Sequence, residues 1–487
     1  MGRAAGAPAA AARIGPRAGH ARSGRRHGPS CVARTDGLAR PAPEPFHRPP
    51  DRILSSPASL PTARPAAPAS RAAAMPFILI AVLIDMISIG IIVPVLPALV
   101  GSFTGSTADQ AHWLGVVSFA FGIANFFGAP LLGALSDRYG RRPVLLIGFC
   151  GLALNFFATA LSTALWMLIA VRMVGGALQA NASVANAYVA DITPPEQRAR
   201  RFGMLGAMFG LGFILGPAIG GLLGAIDLHL PFFAAGTLAL VNLAYGWLVL
   251  PESLPLERRR PFDWRAANPI GSLRGLTRLE GVGPLVAVIA CTGLAQGVLY
   301  TSWVLYNTFK FGWGPAENGA SLAAIGVMSV IVQGVLLGRL LKRTGPRHLA
   351  VAGLLSSALA YALWGAAPQG WMMYAVIAAN VLGFTVAASL QSIVSGAADA
   401  ASQGRTLGAV GSINSLTMVA GPVLAAPLLG AVSHLPHGDW RIGAPLYVGA
   451  ALHAAALLLA WAHFRVERRA RTASPTPTDD TPCTTRS

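Results

Sequence analysis

Apolar residues run for about 20 positions at a time along residues 77–465, interrupted by short polar stretches. A helix needs about 20 mostly apolar residues to cross a bilayer. Twelve such segments can be read, at 77–100, 112–135, 143–165, 166–190, 201–224, 231–250, 284–306, 316–341, 348–367, 370–396, 405–430 and 443–465. The pattern predicts an all-α integral membrane protein of two six-span groups, 75–250 and 284–465, joined by a polar linker at 251–283. A tail at 466–487 is expected to be disordered. Residues 1–74 hold 12 of the 36 prolines and no apolar periodicity, so they are also expected to be disordered. That stretch lacks the 7–15-residue apolar core of a secretory signal. It reads as residues upstream of a true start at Met75, as a basic cytoplasmic extension, or as an Arg-rich, acid-poor transit peptide.

Charge fixes the expected orientation. Only 11% of the 487 residues are charged, against roughly 25% in soluble chains, and a water-facing fold of this size is excluded. The net charge of +18 would suit nucleic acid, but residues 1–74 alone supply +9 of it. The other basic residues cluster between the apolar runs. With alternate loops assigned to alternate sides, 22 fall on one side and only Lys310 and Arg441 on the other. This bias predicts that both termini and the 251–283 linker are cytoplasmic, with lipid rather than nucleic acid as the partner. The four cysteines, Cys31, Cys150, Cys291 and Cys483, have no metal-binding spacing. The chain shows no nucleophile–base set, metal cluster or phosphate-binding glycine loop followed by Lys-Ser/Thr, so neither an enzyme nor an ATP-driven pump is expected.

The two groups of spans superimpose at one offset of 205 residues without a gap. Gly133-Ala-Leu-Ser-Asp-Arg138-Tyr-Gly140-Arg-Arg142 falls on Gly338-Arg-Leu-Leu-Lys-Arg343-Thr-Gly345-Pro-Arg347. Trp166-Met167 falls on Trp371-Met372, and Gly216-Pro217 on Gly421-Pro422. Parallel six-span repeats about a membrane-normal axis are an architecture of secondary transporters, with the substrate site between the halves near mid-membrane.

Polar residues inside the spans are the candidates for chemistry. Asp85 is the only acid placed well inside a span. A carboxylate at that depth is a functional group by default, as a proton carrier or a substrate contact. The alternative is a structural acid reached by water near the end of span 1. Arg172, Gln179, Ser183 and Asn186 follow spacings of 7, 4 and 3 along span 4, one helical face. Such a stripe faces the bundle interior or glues spans together. Gln296, Tyr300, Trp303 and Asn307 share a face of span 7, which suits either a cavity for an amphipathic drug or an interfacial belt. Gly210, Gly212, Gly216, Gly220 and Gly221 let span 5 approach its neighbours, and Pro217 kinks it. Between spans 2 and 3, Gly133, Asp137, Arg138, Gly140, Arg141 and Arg142 form a tight basic loop, expected to latch the halves against each other. Asp191 and Asp399, at the ends of spans 4 and 10, are expected to pair with loop arginines.

Gly133-x-Leu-Ser-Asp137-Arg-Tyr-Gly140-Arg-Arg142-Pro143 resembles the loop 2–3 signature of the major facilitator superfamily. Gly210-x5-Gly216-Pro217-x2-Gly220-Gly221 resembles its antiporter motif. Leu83-Ile-Asp85-x3-Ile-Gly90-x3-Pro94-Val-Leu-Pro97, Ala190-Asp191-Ile-Thr193, Ala164-Leu-Trp166-Met167 and Phe311-Gly312-Trp313 resemble the tetracycline-efflux branch. The likeness spans nearly all of 75–465. It implies a multi-pass protein of the bacterial inner membrane, exporting a drug in exchange for protons, with Asp85 and Arg172 in proton coupling. The proton gradient would replace any cofactor, and a divalent cation would enter only within a tetracycline chelate. The oligomeric state stays open. The chain departs from the branch at Asn155 and Ser357, where aspartates are usual, and in having no histidine across 284–341. Asn155 therefore reads as a cavity residue. The departures leave room for another drug, for a transporter of a different small solute working inward, and for a sensor built on the same scaffold.

Overall fold

The computed structural model describes residues 68–179, 181–262, 283–397 and 403–473. The expectations for residues 1–67, 263–282 and 474–487, for Asp399 and for the Arg405 side chain lie outside the described residues. Among the described residues every regular element is helical.

Span 1 is the helix Pro68–Ile92, continued past a turn at residues 93–95 by Leu96–Gly101. The helix starts before the apolar run does, and Ala74 and Met75 are buried in the core, so the ordered first half begins earlier than residue 75. Span 2 is Thr107–Tyr139, N-capped by Ser106, whose Oγ accepts from Asp109 N at 3.1 Å. Span 3 is Arg141–Ala160 and span 4 comprises Leu165–Leu178 and Asn181–Ile192. Spans 5 and 6 are Arg198–Ile226 and Leu230–Val249.

In the second half, span 7 is Gly283–Phe311. A continuous helical stretch of 52 residues, Pro315–Ala366, follows. At 1.5 Å per residue it would reach about 78 Å, more than twice a hydrocarbon core. It divides at Gly345, whose φ of 74° no helix contains. Span 8 therefore ends and span 9 begins there. Span 10 comprises Trp371–Ala379 and Val386–Ala397, bent by 54° across a short 3-10 turn. Spans 11 and 12 are Gln403–Val432 and Ala444–Ala473, the last helix extending beyond the expected end of span 12 at residue 465. With these divisions the segments accord with twelve crossings.

The repeat is visible in the backbone. Gly140 and its counterpart Gly345 both turn through positive φ, 108° and 74°, with ψ of 159° and 160°. Residues with a Cβ avoid that region. Two spans read as continuous are broken, 4 and 10, and the second segments begin at Asn181 and Val386, 205 residues apart.

Three apolar clusters make the core. One draws on both halves, from Val95, Leu114, Phe156 and Phe232 to Trp303, Tyr306, Trp364 and Leu446. A second contains only first-half residues such as Ile78, Phe149, Tyr188 and Leu205. A third contains only second-half residues such as Val288, Leu354, Leu390 and Ala460. The shared cluster lies at the end away from the arginine-rich loops, and the separate clusters lie at the arginine-rich end. Glycine packing follows the same division. Gly115 of span 2 abuts Ala426 of span 11, and Gly221 of span 5 abuts Pro315 and Gly319 of span 8. Toward the arginine-rich end, a methyl group at Gly203, Gly206, Gly334, Gly338 or Gly411 would meet nothing within 4 Å among the described residues of other elements. The halves are thus closed at one end and parted by a cleft that opens on the arginine-rich side.

Candidate transport site

Asp85 is buried at 2% exposure, midway along span 1. Its Oδ1 accepts a hydrogen bond from Asn181 Nδ2 at 2.8 Å. The sequence reading missed Asn181, because on a continuous helix it falls off the Arg172 stripe. The break in span 4 brings it to Asp85. Gln179, at φ −90° and ψ 71°, ends the first segment. Asn125 of span 2 donates to the carbonyls of Gly176 and Gln179 at 3.3 and 2.7 Å. Asn125 thereby supplies a donor to the Gln179 carbonyl at the break and a second one to the Gly176 carbonyl, which also accepts from Gln179 N. Asn181 lies against Gly148 of span 3, where any Cβ would overlap its Oδ1.

Arg172 is also buried, at 5% exposure, yet among the described residues no ion pair joins it to Asp85. Among the described residues its Nε and Nη2 have no hydrogen-bond partner, and neither does Oδ1 of buried Asn155. Asn155 packs against Gly175, one turn beyond Arg172. A buried guanidinium with two unpaired nitrogens is unstable relative to a fully paired one.

The stripe on span 4 does not survive as one helical face, because the break intervenes. Ser183 and Asn186 are exposed, and Asn186 turns its amide back to Ala182 O at 2.8 Å. On span 7, Tyr300 is 49% exposed, with Gln296 alongside its hydroxyl. Trp303 and Asn307 are fully enclosed by protein, which removes the interfacial-belt reading for them. Trp303 donates to Ser321 Oγ at 3.0 Å and stands edge-on to Trp364.

The loop between spans 2 and 3 forms a dense polar cluster. Arg141 Nη2 lies 2.6 Å from Asp137 Oδ1, its Nε lies 3.0 Å from Asp191 Oδ2, and its Nη1 donates to Ser136 Oγ. Glu252, unnoticed in the sequence, accepts the backbone N–H of Arg141 and Arg142 at 2.9 and 3.3 Å. Gly140 is required here, since a side chain would strike the Glu252 carboxylate. Arg142 Nη2 donates to Trp247 O at 2.6 Å, and Arg138 lies over the Tyr139 ring. Gly133 faces open space. All these partners belong to spans 2, 3, 4 and 6 and the segment after span 6. In this conformation the expected latch therefore ties the first half together and makes no contact with the second half among the described residues. On span 5, Gly216 and Gly220 pack on Gly90 and Ile91 of span 1, while Gly210 and Gly221 face span 8. Pro217 O approaches Gly319 of span 8, so this motif sits where three helices meet.

The profile of the Major Facilitator Superfamily matches residues 78–422 and 285–486. The chain belongs to that superfamily. It is 38% identical over 368 residues to the class C tetracycline resistance protein of Escherichia coli, covering 75% of this chain and 92% of the relative. It is 37% identical over 370 residues to the class D protein of Salmonella ordonez, covering 76% and 93%. Its fold is similar to that of the human organic anion transporter MFSD10 (TETRAN), with TM-score 0.59 and 25% identity over 80% of this chain and 99% of that one. As a major facilitator protein it is a multi-pass membrane transporter and not an enzyme.

Proposed function

We propose that this major facilitator protein is a proton-coupled antiporter of a bacterial inner membrane. It exports an amphipathic drug, tetracycline as its divalent-metal chelate or a related compound, from the cytoplasm by alternating access. The observation that carries the reading is the buried carboxyl of Asp85, midway along span 1 and held by Asn181 just past the break in span 4. A buried acid of this kind can take up and release one proton as the halves rock.

The bias of positive charge supports a cytoplasmic position for the cleft mouth and both termini. Drug enters between the halves, where Ser183, Asn186, Gln296 and Tyr300 offer polar tips on apolar walls. Arg172, with Asn155 nearby, meets the drug's acidic or carbonyl groups or a water that reaches Asp85. The proton gradient supplies the energy, and the magnesium ion travels only as part of the chelate. Lipid and the small molecule are the partners in this reading.

A second reading changes the cargo. Asn155 and Ser357, both buried, stand where the tetracycline-efflux branch carries aspartates, which leaves less negative charge to balance a chelated cation. This favours a more neutral amphipathic solute on the same machinery. Drug accumulation in intact cells separates the two. Cells producing the protein are expected to hold less tetracycline, and a protonophore to abolish the difference. Unchanged tetracycline, with lowered accumulation of a metal-free amphipathic dye, would move the cargo to the second reading.

A further inference from the structure

Segment Asn181–Ile192 of span 4 is a 12-residue helix with polar contacts at both ends. Asn181, its first residue, donates to Asp85. Near its last turn, Asp191 pairs with Arg141, and Tyr188 OH donates to Pro251 O at 2.8 Å. A helix of that length is a rigid rod of about 18 Å. One rigid body therefore touches both the buried Asp85 carboxyl and the basic cluster around Arg141.

The second half contains the same break without the polar pair. Gly353 replaces Gly148, Val386 replaces Asn181, and Ala290 stands in the position of Asp85. The missing Cβ of Gly353 faces Val386 and Thr385, as that of Gly148 faces Asn181. The fold thus builds a broken helix whether or not a carboxyl is there to meet it. The Asp85–Asn181 bond is an addition specific to the first half.

We propose that Asn181 is a positioning residue that makes segment 181–192 follow the protonation of Asp85. The proposal rests on the reading of Asp85 as the proton-carrying group. As an anion, Asp85 binds the Asn181 amide and lies at the positive end of the segment's dipole. When Asp85 takes up a proton from the cleft, that charge disappears and both attractions weaken. The segment is then free to shift, and through Asp191 it moves the Arg141 cluster. The two arrangements of one packed rod supply the bistable element that coupling requires. The helices packed against span 1 bring few other titratable groups: Tyr245 on span 6, Tyr188 and Asp191 on this segment, Cys150 on span 3, and the arginines at the start of span 5. Among the described residues no hydrogen bond or ion pair joins any of them to Asp85.

The test needs no substrate. Gly206, open to the cleft, is changed to Cys in full-length protein whose other cysteines are Ser. Alkylation by an impermeant maleimide in inside-out vesicles is followed from pH 6 to 8, normalised to the intrinsic pH dependence of a free thiol. The parent rate is expected to change at least threefold across this range, and Asp85→Asn and Asn181→Leu to flatten it. Ser356→Ala, which removes the Ser356–Asn380 bond at the equivalent break of span 10 and leaves the Asp85–Asn181 pair untouched, is expected to keep the parent profile. A parent-like profile for Asn181→Leu overturns the proposal, as does a flat profile for Ser356→Ala, because the role of Asn181 would then be structural. A parent indistinguishable from Asp85→Asn removes the reading of Asp85 as well.

Discussion

Gly148 on span 3 is the surface on which Asn181 lies, and the absent Cβ of Gly148 occupies the place where Asn181 Oδ1 sits. Gly148→Ala must push Asn181 from Asp85 or strain span 3, an overpacking of about 1–3 kcal/mol. Proton-driven transport is expected to fall about tenfold. Gly353→Ala strains an equivalent packing that holds no carboxyl, so its loss is expected to track folded protein alone. Flux per folded molecule in vesicles checks the contrast.

Glu252 accepts backbone hydrogens from Arg141, Arg142, Ser253 and Leu254, all near 3 Å. Glu252→Ala leaves these donors without their acceptor. A destabilisation of about 2 kcal/mol is expected, read as a lower thermal midpoint in detergent. Glu252→Gln, which keeps acceptor oxygen, is expected to recover part of it.

Tyr300 presents its ring and hydroxyl at 49% exposure beside Gln296. Tyr300→Ala is expected to raise the drug KM about tenfold, near 1.4 kcal/mol, with the maximal rate within about twofold. Transport assayed over a range of drug concentrations separates the two effects.

On the face opposite the arginine-rich loops, hydrogen bonds from the Arg441 side chain and backbone hold the Asp439 carboxyl below its ordinary 3.8. A depressed value contributes stability above the unfolded pKa, and that stability is lost as pH falls through the folded one. Asp439→Asn is therefore expected to lower the thermal midpoint slightly at pH 7 and by less at pH 3, below the ordinary 3.8, where the unfolded carboxyl is largely protonated. Equal differences at both pH values would contradict the attribution.

Much of this arrangement was legible in the sequence. Apolar run length located the membrane helices, and the 205-residue offset anticipated the shared turn at Gly140 and Gly345. Asp85 stood out because nothing else acidic lies so deep. The breaks in spans 4 and 10 did not stand out, since neither contains a proline and both keep an apolar composition. They depend on tertiary partners such as Asn125, 54 residues from the Gln179 carbonyl it satisfies. Glu252 was equally hidden, because its partners are backbone N–H groups and carry no side-chain signal. The spacing alone puts Arg172 on one helical stripe with Ser183 and Asn186, and the break at Gln179 separates it from them.

The measurement that tests the central claim most directly is substrate-driven proton movement in inside-out vesicles, with tetracycline and magnesium as the probe. Addition of the drug is expected to dissipate an imposed pH gradient in vesicles containing the wild-type protein. Asp85→Asn is expected to abolish that response while the protein still inserts. A full response from Asp85→Asn would contradict the assignment of proton coupling to this carboxyl.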